Sequence, residues 1–142
     1  MANIEIYNAH CCGEIGEVVI SGDFHLKGKT LLEQSKNLLE DQTLRNFLFN
    51  EPRGGVFKHF NLLVTPKNKK AEAGFIILEP EDNPPMSGSN SICVATVLLE
   101  KNFIKMKEPI TEFLLEAPGG IIPIKAYCKN KRVKFVEIKN LP

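Results

Sequence analysis

Pro85-Met86-Ser87-Gly88-Ser89-Asn90-Ser91-Ile92-Cys93 runs without a break into Val94-Ala95-Thr96-Val97-Leu98-Leu99-Glu100. From Ser91 to Glu100 apolar residues fall on nearly every side of a helix, and a helix that is hydrophobic all round has to be buried. It therefore belongs inside a sheet or barrel. Before it, a glycine and small polar residues build the tight turn that opens the helix. The first-turn N–H groups of such a helix have no intrahelical acceptor, and its dipole is positive at that end. Backbone alone can hold a carboxylate or phosphate there, with Ser87 at its edge. Ser and Asn are also the favoured helix caps, so the residues by themselves leave capping and anion binding both open.

Working outward, Asn3 to Ala9 and Glu17 to Ser21 alternate as strands, joined by a turn through Gly13 to Gly16. Leu31, Leu32, Leu38 and Leu39 form one stripe on an amphipathic helix over Lys29 to Asp41. Leu44 to Asn50 reads as a second short helix stopped by Pro52. Val56 to Thr65 and Ala73 to Glu79 read as strands, with the Lys67–Lys70 run as a solvated loop between them. Glu81 to Pro85 is a polar loop stiffened by Pro84-Pro85. Three more strands cover Glu112 to Glu116, Ile121 to Tyr127 and Val133 to Ile138, turning at Pro118-Gly119-Gly120 and at Lys129 to Lys131. Strands outnumber helices and do not alternate with them regularly, so the class is α+β: mostly antiparallel strands wrapped around a buried central helix.

With 142 residues, 43% hydrophobic and 25% charged, the chain suits a single domain with a real core. A net charge of +1 argues against a nucleic-acid partner, which calls for a basic stripe. No apolar run reaches the ~18 residues of a membrane helix, and Met1 to Ile6 lacks the basic start and apolar core of a leader. Cys11, Cys12, Cys93 and Cys128 form no CxxC pair, which points to reduced thiols and a cytoplasmic location. His10 with Cys11 and Cys12 cannot converge easily on one ion, so no metal site is read there. His10 and Glu14 are taken to order the strand turn. His59, Phe57 and Phe60 are taken to pack in a strand, Cys93 to lie in the core, and Arg53 to sit in a structural ion pair.

Four segments in sequence order resemble the proline racemase family, which includes hydroxyproline epimerases and 3-hydroxyproline dehydratases. Residues 10–14, His-Cys-Cys-Gly-Glu, are similar to the family's His-Thr-(Ala/Gly)-Gly-Glu, and Glu51-Pro52-Arg53-Gly54 matches its EPRG. Met86 to Ile92 resembles its MCGHGTI. Residues 107–113 followed by 116–120 also fit. The resemblance implies a diaminopimelate epimerase-like fold, in which two similar domains face each other and each supplies one proton-transferring residue. It implies no cofactor. Ser87 falls where the family has its first catalytic cysteine, and Gly88 and Ser89 where backbone N–H groups bind the substrate carboxylate. Ser89 replaces a histidine that in the family reaches toward the substrate amine. Serine at position 87 occurs among members resembling hydroxyproline epimerases.

Residues 136–142 resemble the strand near the middle of full-length members. Residues 1–142 are therefore expected to be one domain equivalent to the N-terminal half, with the opposite catalytic residue in an absent second half. Three functions follow from the resemblance: an epimerase or racemase of hydroxyproline or proline, a 3-hydroxyproline dehydratase, or a non-catalytic truncated domain. The expected partners are a proline-type imino acid and either the missing half or a second copy, because an apolar face left unpaired promotes association.

Overall fold

A computed structural model describes residues 3–140; Met1 and Ala2 of the segment read for a leader, and Leu141 and Pro142 of the closing segment, lie outside it. Along the chain run β1 (Glu5–Tyr7), β2 (His10–Cys11), β3 (Glu14–Ile15), β4 (Glu17–Ser21), α1 (Leu31–Glu40), α2 (Gln42–Phe49), β5 (Phe60–Val64), β6 (Ala73–Leu78), α3 (Gly88–Glu100), β7 (Ile110–Ala117), β8 (Gly120–Lys129) and β9 (Arg132–Ile138).

Seven strands form one sheet in the order β1-β4-β5-β6-β7-β8-β9, and β2 and β3 make a separate hairpin. Antiparallel pairing dominates, as in Leu62 opposite Ile76 and Leu115 opposite Ile122. Two joints are parallel: β4 with β5 and β6 with β7. Each is bridged by helix, α1–α2 across the first and α3 across the second, because parallel neighbours need a long crossover.

Successive strand residues point to opposite faces, and this splits the interior in two. Val18, Phe75 and Ile77 join α3, together with Leu115, Ile122 and Ile124. Val19, Ile76 and Leu78 instead join Leu38 of α1 and Leu44 and Leu48 of α2. Central strands covered on both sides therefore read as near-continuous apolar runs. Helix α3 packs on β4, β8 and β9 and also meets β2, so the sheet curls around it. The central buried helix and the α+β class expected from the sequence are what the structure has.

Several local expectations change. The strand read over 3–9 shrinks to Glu5–Tyr7, and between it and β4 stands the unexpected β2–β3 hairpin. Its turn is Cys12-Gly13, both at positive φ (51° and 95°), and His10 Nδ1 accepts from Gly13 N at 3.2 Å. Helix α1 starts at Leu31 because Thr30 and Glu33 close a reciprocal capping box. It buries Leu31 and Leu38 with Gln34 and Ser35 and leaves Leu32 and Leu39 at its rim. The strand read from Val56 begins only at Phe60, and Phe57 is 61% exposed rather than packed. Arg53 lies over the Phe47 ring, 4.4 Å from its centre, in place of the expected ion pair.

Candidate functional site

The helix opens where the sequence places it. Ser87 is the N-cap of α3, with extended backbone (φ −147°, ψ 131°), and its carbonyl accepts from Ser91 N at 3.0 Å and Ser91 Oγ at 2.6 Å. The segment leading into it is held from two sides. Gly119 N, in the β7–β8 turn, donates to Pro85 O at 2.7 Å. Arg45, only 8% exposed, donates to Glu79 O (2.7 Å), Pro80 O (2.8 Å) and Asn83 Oδ1 (3.0 Å). A buried guanidinium satisfied by carbonyls is a rigid clamp, and it fixes the loop whose stiffness the sequence assigned to Pro84-Pro85.

At the mouth, Ser87, Gly88 and Ser89 are all half-buried. The N–H groups of Gly88 and Ser89 find no acceptor among the described residues. Ser87 Oγ stands 3.3 Å from Ser89 Oγ, 3.0 Å from Asn90 Nδ2 and 3.5 Å from Asn90 N. A Cβ on residue 88 would meet Ile138 Cδ1 at 3.3 Å, so the end of β9 borders the mouth. The three residues singled out from sequence are thus together. They sit on an open face. A concavity of about 670 Å³ lies elsewhere, between Glu72, Phe113, Pro123, Ile124 and Lys125. It holds none of the groups that make the helix mouth chemically distinctive.

Sequence reading missed what lies behind the mouth. Asn90, 1% exposed, takes Asn61 Nδ2 on its carbonyl at 2.8 Å and reaches Glu79 Oε1 with Nδ2 at 3.4 Å. His59, read as a packing residue, holds Nδ1 3.6 Å from Glu79 Oε1 and 3.8 Å from Glu14 Oε1. That nitrogen has no hydrogen-bond partner among the described residues. Glu14 therefore faces His59 rather than ordering its own turn. Two signals were available: Asn61 interrupts an apolar strand, and Asn90 stands where MCGHGTI has glycine.

Burial pushes the Glu79 carboxyl above its ordinary range, with His59 pulling the other way and Asp82 and Glu14 adding to the rise. A carboxyl raised in the folded state binds its proton more tightly there than in the unfolded chain. Its contribution is therefore most favourable at acid pH and is lost as pH rises through the raised value. Glu79→Gln should accordingly gain stability over the parent at neutral pH and lose the advantage as pH falls toward the carboxylate range. Urea midpoints of both proteins across that window check this; parallel curves would contradict it. Cys93 is out of the chemistry, since burial pushes its thiol up to about 12. Among the described residues no three or more His, Cys, Asp or Glu side chains gather as a metal site. No helix among the described residues is long and apolar enough to cross a membrane.

A family model described as proline racemase matches residues 6–142. A hydroxyproline epimerase from Agrobacterium vitis, solved with bound trans-4-hydroxy-L-proline, is similar at 40% identity and a TM-score of 0.90, over 95% of this chain and 40% of its own. A probable proline racemase from Agrobacterium radiobacter, solved with carbonate, is similar at 42% identity and a TM-score of 0.91, over 96% of this chain and 41% of its own. A Bacillus anthracis phenazine biosynthesis protein of the PhzF family shares the fold at 13% identity and a TM-score of 0.58. This chain thus spans about two-fifths of the length of the two similar Agrobacterium proteins.

Proposed function

The chain belongs to the proline racemase family, and from that premise we propose that it forms the N-terminal half of a cofactor-independent epimerase or racemase of hydroxyproline or proline. The observation that carries the reading is the open mouth of α3. There the unpaired N–H groups of Gly88 and Ser89 lie beside a half-buried hydroxyl, in a chain 40% identical to a protein solved with hydroxyproline. In this reading the two N–H groups grip the substrate carboxylate, and Ser87 Oγ stands on one face of the α-carbon. Removing the α-proton builds charge next to that carboxylate, and backbone donors that tighten as charge develops lower the barrier. Inversion needs a second acid–base group on the opposite face, which a C-terminal half would supply. We place the reaction in the cytoplasm, in keeping with four free cysteines.

The binding half of this proposal is testable on the 142-residue chain. Titration with pyrrole-2-carboxylate, a flat analogue of the deprotonated ring, should move the amide resonances of Gly88 and Ser89 first. Affinity should be weak, because one half-cleft supplies only part of the carboxylate's donors. Shifts confined to the Phe113–Lys125 concavity would sink the assignment. A dehydratase would begin with the same proton removal, so only the product tells the two apart: a ketone-forming product for dehydration, unchanged mass with inverted configuration for epimerisation.

A further inference from the structure

Among the described residues, the buried side chain that hydrogen-bonds Ser87 Oγ is Asn90, and its amide is oriented by its neighbours. We propose that Asn90 is the positioning residue that lets a serine hydroxyl carry a proton at position 87, an inference that rests on the role proposed for Ser87 above. The orientation is dictated from the backbone inward. Asn61 Nδ2 donates to the Glu17 carbonyl at 3.4 Å and to Asn90 Oδ1 at 2.8 Å. The Glu17 carbonyl can only accept, so Asn61 must keep its NH2 on that side. Asn90 must then present its carbonyl to Asn61 and its NH2 to Ser87 Oγ (3.0 Å) and Glu79 Oε1 (3.4 Å). Confinement is tight: a Cβ on Gly16 would come within 3.1 Å of Asn90 Oδ1 and 2.8 Å of Cys93 Sγ.

The chemical consequence follows from which atom donates. Ser87 Oγ receives an N–H from behind, so its own proton is directed to Ser89 Oγ or outward to the open mouth. When that proton is given up, the oxyanion keeps a donor already in place, and hydrogen bonds to a charged form favour that form. A thiol, with an ordinary pKa of about 8.5, needs far less help than an alcohol. In MCGHGTI the cysteine is followed three residues on by glycine; here serine is followed at the same distance by asparagine. Glu79 just after β6, His59 just before β5 and Glu14 of β3 are titratable groups that stand behind Asn90.

A thiol placed at position 87 reads this donor directly, without turnover. In the 142-residue chain, Ser87→Cys is made with Cys11→Ser and Cys12→Ser, which leaves Cys93 and Cys128 buried. The introduced thiol is titrated by its ultraviolet thiolate absorbance. Its midpoint should fall below the ordinary value, and adding Asn90→Ala should raise it by about one pH unit, a tenfold change in thiolate fraction. Asn90→Gly, the residue of the family motif, should do the same and serves if the alanine variant does not fold. A midpoint unmoved in the folded variants would overturn the role of Asn90, because a merely structural residue shifts stability and not this titration. Titrating pyrrole-2-carboxylate into the unsubstituted chain keeps the two claims apart. Binding retained with a flat thiol response removes Asn90 alone; a shifted thiol with no binding at Gly88 and Ser89 removes the substrate reading alone.

Discussion

Ser87→Ala in the complete protein should cut exchange of the substrate α-proton with solvent by about 10²–10⁴-fold, the range that a positioned acid–base group contributes. Carboxylate binding should survive, since the Gly88 and Ser89 N–H groups belong to the backbone and are untouched. Deuterium incorporation into hydroxyproline, followed by NMR, measures the first effect, and pyrrole-2-carboxylate titration the second. The variant also loses a helix cap, which costs about 1 kcal/mol, so its folding should be checked by circular dichroism before rates are compared. Exchange at the parent rate in a folded Ser87→Ala protein would remove Ser87 from the reaction.

A second large effect is expected far from the chemistry. Phe75 is fully buried in the middle of β6, on the face that meets α3. Phe75→Ala removes most of an aromatic side chain from the layer between sheet and helix and should cost about 3–5 kcal/mol, because the surroundings close over such a cavity only in part. Set against the roughly 5–15 kcal/mol that holds a domain folded, this leaves little margin. Urea denaturation should show a lower midpoint with an unchanged slope. A loss under about 1 kcal/mol would mean that the helix resettles onto the sheet with unusual ease.

How far the chain could be read in advance depended on the range of each interaction. Helix α3 was legible because its burial is written in ten consecutive residues, 91–100, and its cap at Ser87 because it acts within three positions; the Thr30–Glu33 capping box that starts α1 was passed over. The meander β7–β8–β9 was legible from alternation and turn residues. Short elements escaped: β2 and β3 have two residues each, too few to show a period, although the turn-ordering role taken for His10 is what its Nδ1 does. Phe57 misled because an apolar residue beside a strand is normally inside. The parallel joints depend on which strands meet, which local pattern does not encode. At the site, Ser87, Gly88 and Ser89 came from one contiguous motif. The link between Asn61 and Asn90 spans 29 positions, and its traces were a polar residue in an apolar strand and an asparagine where MCGHGTI has glycine.

The wiring of the sheet also bears on how the molecule assembles. Strands β7, β8 and β9 follow one another through the turns at Pro118-Gly119 and Asn130-Lys131, so they can zip together early at small entropic cost. Glu17 meets Phe60 only after the whole α1–α2 excursion has been looped out, and Gly74 meets Glu116 only after α3 has crossed over. Such distant closures are the slow steps of a folding reaction. Asn61, Glu79 and Asn90 lie on either side of them. In a pulse-labelling experiment the meander amides should acquire protection first, and those at the mouth of α3 only with the last phase.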